Sequence, residues 1–215
     1  MIQIRHKSTG AVLLELEADS LAGAKLSGAK LQGASLQGLD LRGSYISNAD
    51  LRETDLRGAN FEKANLNATA LDAANAAHAN FAGADLTDCS LVGADFTDSN
   101  LSRVVVRYGR LSGANFSGAN LSKADLSMTD LRANLSNATL AGADLRAADL
   151  TGANLMGANL EEANLTGANL TCAIMARARM RGAIDKSGKH AAVVAAGTSG
   201  KATAKPSRPW WQFWG

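Results

Sequence analysis

Apolar side chains recur at every fifth residue along most of the chain. With the apolar residue of each five taken as the centre, centres run from Leu21 to Leu131 and again from Leu135 to Leu170. They number 31, of which 24 are Leu, four are Phe and one each is Ile, Val and Ala. An α-helix would need a period of about 3.6 residues and a simple strand a period of about 2. The pattern therefore predicts a chain that turns a corner once every five residues.

The positions around each centre are also regular. Ala occupies 21 of the 30 positions two residues before a centre, Asp or Asn occupies 21 of the 30 positions immediately before it, and Gly is frequent two residues after it. Four five-residue edges would close a square coil, and stacked coils would pair backbone with backbone at about 4.8 Å. Leu and Ala then point inward, whereas Asp, Asn and Gly suit the corners.

This A(D/N)LxG pattern resembles the pentapeptide-repeat family over residues 16–180, about three quarters of the chain. The resemblance implies an all-β fold, the right-handed quadrilateral β-helix of a pentapeptide-repeat solenoid. We expect the β-helix to occupy residues 19–184, with an N-terminal β-hairpin cap and a flexible C-terminal tail.

The square coil makes a specific prediction for the phenylalanines, because residues 20 apart should stack on one face. Phe61 and Phe81 differ by 20, as do Phe96 and Phe116. The four rings are therefore expected to form two stacked pairs. The smallest centre, Ala76, falls beside Phe81 and directly below Phe96, so the large rings are expected to fill the space that a Leu would occupy.

The ends of the repeat and one internal slip depart from this regularity. An uncovered β-edge would pair with other chains, and residues 1–18 alternate Ile2 and Ile4 with polar residues before an STG turn and AVLLELE. This predicts a β-hairpin that covers the first coil. At the other end, one degraded coil is expected to continue to Ile184. Within residues 131–135 one residue is missing, which predicts a tightened corner.

The C-terminal residues differ in composition from the repeat. Residues 185–205 are rich in Ala, Gly, Ser, Thr and Lys without a period, which is typical of a flexible basic linker. Residues 206–215 contain all three tryptophans. Their aromatic side chains, which do not suit a narrow coil, are Trp210, Trp211, Phe213 and Trp214.

Aromatic anchors supply much of the energy in many protein interfaces, so residues 206–215 are interpreted as a docking motif for a protein partner. Two alternatives stay open. Trp favours the membrane interface and basic residues attract anionic lipid, so the motif would also suit a membrane surface. The segment would also be able to fold back onto the open C-terminal coil.

One segment inside the repeat breaks the pattern, LSRVVVRYGRL at residues 101–111. Its outward-facing residues are Arg103, Arg107, Tyr108 and Arg110. A basic surface patch with an aromatic residue suits phosphate or an acidic partner. The simpler interpretation, which we prefer, is local charge neutralisation by carboxylates stacked nearby, namely Asp85, Asp88, Asp125 and Asp130.

The sequence offers no catalytic or metal-binding constellation. His6, His78 and His190 are scattered, and the Asp and Asn rows follow the demands of the repeat. Cys89 is expected to point inward and Cys172 outward, so a disulfide between them is not expected. These observations predict a protein that is not an enzyme and that binds no cofactor or metal.

Charge is distributed unevenly along the chain. The net charge is +2, but residues 21–170 contain 16 acidic and 12 basic residues, a net of −4, whereas residues 171–215 contain one acidic and eight basic residues, a net of +7. The first residues lack the apolar core of a signal peptide, and no apolar run reaches the roughly 20 residues of a membrane span. We expect a cytoplasmic protein.

Some pentapeptide-repeat proteins resemble B-form DNA in shape and charge and protect DNA gyrase from quinolones or related toxins. A rod of about 38 Å would have to match about 22 phosphate charges, at one per roughly 1.7 Å of duplex. The repeat carries only −4, and no face is strongly acidic. A protein-interaction scaffold is therefore the first hypothesis, gyrase protection the second and a membrane-surface rod the third, and direct nucleic-acid binding is not expected.

Overall fold

The computed structural model describes residues 1–185 and 187–189. From Leu21 onward the chain winds as a square coil, and each five-residue edge forms a parallel β-bridge with the edge above it, usually 20 residues later. We label the four faces A, B, C and D by the bridge columns that begin at Lys25, Lys30, Ser35 and Asp40. Column A contains eight successive bridges, a height of about 38 Å at about 4.8 Å per step. The fold is the predicted right-handed quadrilateral β-helix.

The interior of the coil is filled by one large and one small side chain per edge. All 31 centres are buried, each with at most 3% of its surface exposed. The small position two residues before a centre is also buried along most of the coil, and where Ser or Thr replaces Ala there, its hydroxyl donates to a backbone carbonyl. Thr54, for example, donates to the carbonyl of Leu51 at 2.6 Å, so the buried hydroxyl has a partner.

The four phenylalanine rings form the two stacked pairs that the sequence predicts. The ring centroids of Phe61 and Phe81 are 4.7 Å apart, and those of Phe96 and Phe116 are 5.2 Å apart. The pairs also contact each other, with Phe81 and Phe96 tilted at 5.4 Å. The stack thus crosses from face D to face C at the coil where Ala76 is the face C centre. A small centre at that point leaves room for the crossing.

Nearly all of the described corners are tight turns closed by a backbone hydrogen bond. The N–H of Ala24 donates to the carbonyl of Leu21 at 3.0 Å, and Gly23 between them has φ of 70°, as at the third position of a type II turn. Glycine, which adopts positive φ without strain, occupies only some of these corner positions. The described corners also place 17 non-glycine residues at positive φ, each at a cost of roughly 1–2 kcal/mol.

Asp and Asn before most centres stabilise the turn and link the coils. The N–H of Glu62 donates to Asn60 Oδ1 at 3.1 Å, the side-chain capping expected of Asn and Asp at turns. Asparagines also donate to the preceding coil, so Asn80 donates to Asn60 at 2.9 Å and Asn100 donates to Asn80 at 3.0 Å. These side chains form a ladder along face D.

The N-terminal hairpin covers the first coil. Strands β1 (Ile2–His6) and β2 (Val12–Leu16) pair antiparallel, and β1 also pairs antiparallel with β3 (Ala34–Ser35) in the first coil, so the sheet order is β2-β1-β3. Ile4 is 1% exposed and joins the core. The predicted N-terminal β-hairpin cap is confirmed.

The register slip produces the tightened corner that the sequence predicts. The N–H of Ala133 donates to the carbonyl of Leu131 at 2.8 Å, one residue shorter than at the other corners. Bridges that cross the slip join residues 19 apart, as between Asn115 and Asn134, and the spacing returns to 20 from Asn134 to Asn154. The stack absorbs the missing residue without losing a bridge.

Positive φ at the corners leads to a prediction for two residues of one corner column. Gly93 has φ of 66° and its added Cβ would touch nothing within 4 Å, whereas Ala73, one coil earlier, has φ of 55°. Gly93→Ala should lower the free energy of unfolding by about 1 kcal/mol and Ala73→Gly should raise it by about 0.5–1 kcal/mol. Urea unfolding of the two variants measures both changes. Equal stability of all three proteins would contradict the assigned corner strain.

Candidate interaction surface

The irregular segment 101–111 keeps the coil intact by compensating substitutions. Val104 is fully buried in a position that Ala usually occupies, and the β-branched Val106 is the centre. The next small position is Gly109, where an added Cβ would lie 2.8 Å from Val106 Cγ1 and 2.8 Å from Leu111 Cδ1. Val106 and Leu111 therefore leave no room for a Cβ at this position, which glycine occupies.

The four outward residues of this segment lie on three adjoining parts of the rod. Arg103 is at the corner between faces D and A, Arg107 follows column A, Tyr108 is at the corner between faces A and B, and Arg110 is in column B. All four are exposed. They wrap around a corner and do not form one flat patch.

Arg107 is neutralised by a carboxylate of the next coil. Its Nε donates to Asp125 Oδ2 at 2.6 Å. Burial alone would raise the pKa of Asp125, but hydrogen bonds from Ser127 and Arg107 together lower it below its ordinary value. Local charge neutralisation, the interpretation preferred from the sequence, thus describes Arg107.

Arg110 differs from Arg107 in its surroundings. Asp130 follows it directly in column B, yet the Asp130 carboxylate is bound by Arg132 at 2.7 Å. Arg110 forms no ion pair with any residue in the described part of the chain. Its positive charge therefore faces solvent.

Tyr108 has an apolar neighbour that the sequence reasoning did not identify. Met128 occupies the same corner column one coil later, and both side chains are 56% exposed. The separation of 20 residues was a signal that would have found Met128, had the stacking count been applied to the corners. Tyr108, Met128 and Arg110 together form the corner patch, an exposed aromatic and apolar surface with the Arg110 guanidinium beside it.

A shallow groove of about 570 Å³ adjoins Arg110 on face B. Its floor contains Ala70 and Ser90, in a column where half of the coils carry Asp or Asn. Arg52 lines the opposite end and is bound to Asp50 at 2.8 Å. The groove thus combines a small-residue floor with an available positive charge at its Arg110 end.

Elsewhere on the rod, carboxylates are paired with arginines two residues later in the sequence. The Arg hydrogen bond is the main cause that lowers the pKa of Asp40, Asp50, Asp55 and Asp130. The five pairs are Asp40–Arg42, Asp50–Arg52, Asp55–Arg57, Asp130–Arg132 and Asp144–Arg146. The arginines are about half exposed, so each pair contributes little to stability, but together the pairs cancel negative charge on the surface.

The other chemically reactive side chains are dispersed. Burial raises the pKa of the Cys89 thiol to about 12, Cys172 is exposed, and both are free. His6 Nδ1 accepts the N–H groups of Ser8 and Thr9 in the hairpin turn. No group of three or more metal-ligating side chains occurs within residues 1–185 and 187–189, and none of these residues belongs to a helix able to cross a membrane.

The candidate docking residues of the tail lie outside the described residues. They are Trp210, Trp211, Phe213 and Trp214. The same holds for His190 and for most of the linker at residues 185–205.

Comparison with known proteins agrees with this geometry. The family model for pentapeptide repeats matches 8 copies, within residues 24–62, 64–103, 99–133, 132–167 and 148–184. HetL, a pentapeptide repeat protein involved in heterocyst differentiation regulation from the cyanobacterium Nostoc sp. strain PCC 7120, is 29% identical over 79% of this chain and 92% of its own, with a TM-score of 0.47. QnrB1, a plasmid-mediated fluoroquinolone resistance protein, is 18% identical over 76% of this chain and 88% of its own, with a TM-score of 0.49. No curated protein matches the chain.

The compensation at Gly109 can be tested by a double-mutant cycle. Gly109→Ala should lower the free energy of unfolding by about 1–3 kcal/mol because the new methyl group overpacks the interior. Adding Val106→Leu restores the usual Leu centre beside the usual Ala and should recover at least half of the loss. Urea unfolding of the single and double variants measures this. Independent, additive effects would show that the two positions are not coupled.

Proposed function

Because the chain belongs to the pentapeptide repeat family, we propose that it is a non-enzymatic protein-interaction scaffold, a rigid β-helical rod tethered to a partner through its C-terminal Trp-rich tail. One observation carries the proposal. The Phe and Trp residues divide into four phenylalanines buried in the coil and a cluster in the last six residues. The cluster has no place in the repeat, so its composition points to a role in binding.

The roles of the polar side chains favour a scaffold over an enzyme. Most Asp and Asn side chains of the repeat accept a backbone N–H at a corner, as Asp95 does from Thr97 at 3.0 Å. Asn115 donates to Thr97 Oγ1 of the preceding coil at 2.8 Å. Catalysis would require titratable groups that converge in a concave site, whereas these groups are spread along the faces and occupied by structural hydrogen bonds.

The tail residues have the chemistry of a tethered docking motif. Tryptophans dominate the energy of many interfaces, and residues 185–205 supply enough Gly, Ser and Lys to hold the motif away from the rod. The same residues suit an anionic membrane surface, but the motif is too short to form an amphipathic helix of several turns. We therefore favour a protein partner.

The surface charge weighs against a DNA-mimic role at DNA gyrase. A mimic needs a dense negative stripe, but six aspartates of the repeat are bound by arginines, as Asp144 is by Arg146 at 2.6 Å. The remaining negative charge is too sparse to imitate a DNA duplex, which carries one phosphate per roughly 1.7 Å of its axis. The scaffold therefore stays the better account of this surface.

The tethering proposal predicts a loss of binding on truncation. Quantitative capture from host lysate should recover at least one protein that the full chain enriches about tenfold or more over a chain ending at Lys205, because the aromatic anchors are removed. A full-length variant with the four aromatic residues replaced by Ala should behave like the truncated chain.

Two controls sharpen this test. Replacing Lys201 and Lys205 by Gln keeps the aromatic residues and should retain the captured protein, while co-sedimentation with phosphatidylserine vesicles detects binding to lipid. Identical captures by the full and truncated chains would contradict a docking role for the tail. Vesicle binding without protein capture would assign the tail to a membrane surface.

A further inference from the structure

The last described coil departs from the repeat at the position before each centre, where Asp or Asn stabilises most of the coils. Where Asp or Asn usually precedes the centre, this coil has Ile174, Arg179 and Ile184. In the preceding coil, Asn154 accepts the N–H of Met156 at 3.1 Å and donates to Asn134 at 3.1 Å. Ile and Arg side chains cannot accept such a hydrogen bond. These positions of the last coil therefore lack the side-chain hydrogen bond that caps the corners elsewhere.

The residues that replace the usual ones create an exposed apolar surface. Ile174 follows Asn154 directly in column C and is 53% exposed, and Met156 on the same face is 45% exposed. An exposed Ile in a polar column offers no benefit to the coil itself. With Arg177 and Arg179, these two residues form what we call the C-terminal patch.

The arginines of the patch lack the compensation found elsewhere on the rod. Arg177 is at the corner between faces C and D, with φ of 62°, and Arg179 is in column D. Neither has an Asp two residues before it, and neither forms an ion pair with another described residue. The glutamates of the preceding coil, Glu161 and Glu162, come 20 residues before Arg181 and Gly182, so they align with those two residues and not with Arg177 or Arg179. The patch therefore presents uncompensated positive charge beside apolar surface.

The same coil presents backbone N–H groups at the end of the stack of parallel bridges. In the preceding coil the N–H of Leu155 donates to the carbonyl of Ile174 at 2.8 Å. The corresponding N–H groups of Met175, Arg177 and Met180 find no acceptor within the described residues. At the N-terminal end, β1 covers the equivalent edge. An edge of this kind binds extended peptides by strand addition.

Charge discriminates among the chains able to cover this edge. Residues 186–215 contain five Lys and Arg residues and no Asp or Glu, so the chain's own tail would bring like charge to the patch. A second copy docked end to end would place arginine against arginine. An acidic extended segment satisfies the backbone donors, the arginines and the apolar surface together, whereas a lipid surface does not supply a strand.

We propose that the C-terminal patch binds an acidic segment of a partner protein, which pairs with the open coil edge at residues 174–179 and bends at the Arg177 corner as the coils below it do. Apolar side chains of that segment contact Ile174 and Met156, and its carboxylates bind Arg177 and Arg179. This surface is distinct from the Trp-rich tail and does not depend on it.

The test is a selection of random displayed peptides of about 12 residues, long enough to form one added strand, on the immobilised full-length protein. Enriched peptides should combine Asp or Glu with β-branched residues. The affinity of a selected synthetic peptide, measured by fluorescence polarisation, should fall by about tenfold or more for Arg177→Glu/Arg179→Glu because attraction becomes repulsion. Arg103→Glu, an exposed corner arginine elsewhere on the rod, should leave the affinity unchanged.

Ile174→Asn separates binding from folding. Asn restores the usual column residue, so the melting temperature should rise by about 2–4 °C, while peptide affinity falls because the apolar contact is lost. A weaker peptide affinity in a more stable protein cannot be explained by unfolding.

Several results would overturn the proposal. The first is enrichment of peptides without acidic residues, and the second is unchanged peptide affinity in Arg177→Glu/Arg179→Glu. The third is that no peptide is enriched, while the protein self-associates or binds phosphatidylserine vesicles and the arginine variant loses that binding. Peptides that bind through the aromatic tail would be lost on truncation at Lys205 and retained by the arginine variant. That outcome would reject the patch and leave the tethered scaffold standing.

Discussion

The narrow interior of the square coil determines most of this structure. Each edge has room for one large and one small inward side chain, so Leu and Ala recur with a period that no helix or flat sheet imposes. Burying each Leu contributes about 1.5–3 kcal/mol, and the stack distributes this stabilisation along its length. The corners follow from the same constraint, because a chain that turns every five residues must adopt positive φ, with or without glycine. The hairpin closes the edge that such a stack leaves open at its N-terminal end.

The outward positions are constrained nearly as strongly as the inward ones. Asp and Asn cap the corners and form ladders between coils, and five arginines bind aspartates two residues earlier. Residues used in this way have little freedom to specify a partner. We therefore propose that specific binding belongs to the places outside this regular pattern, namely the corner patch, the C-terminal patch and the aromatic tail.

Much of the fold could be predicted from the sequence because residues that stack in a regular coil are separated by a fixed number of residues. The separation of 20 placed Phe61 on Phe81, and one missing residue located the tightened corner. Surface pairing was less predictable, since Asp130 had two arginines within reach and binds Arg132, which leaves Arg110 free. Such choices depend on differences of about 1 kcal/mol between exposed ion pairs, which spacing alone does not determine. The same limit explains why Met128 beside Tyr108 was missed, because exposed corner residues carry no hydrophobic pattern.

A rod whose specificity resides in its irregular parts should be separable from its docking motif. The most direct measurement is quantitative capture from host lysate with residues 185–215 fused to an unrelated folded carrier, beside the full chain and a chain ending at residue 185. We expect the carrier fusion to recover the tail-dependent partner at a level similar to the full chain, and the truncated rod to lose it. Recovery of that partner by the truncated rod, with none on the carrier fusion, would contradict the tethered scaffold and place its specificity on the faces of the coil.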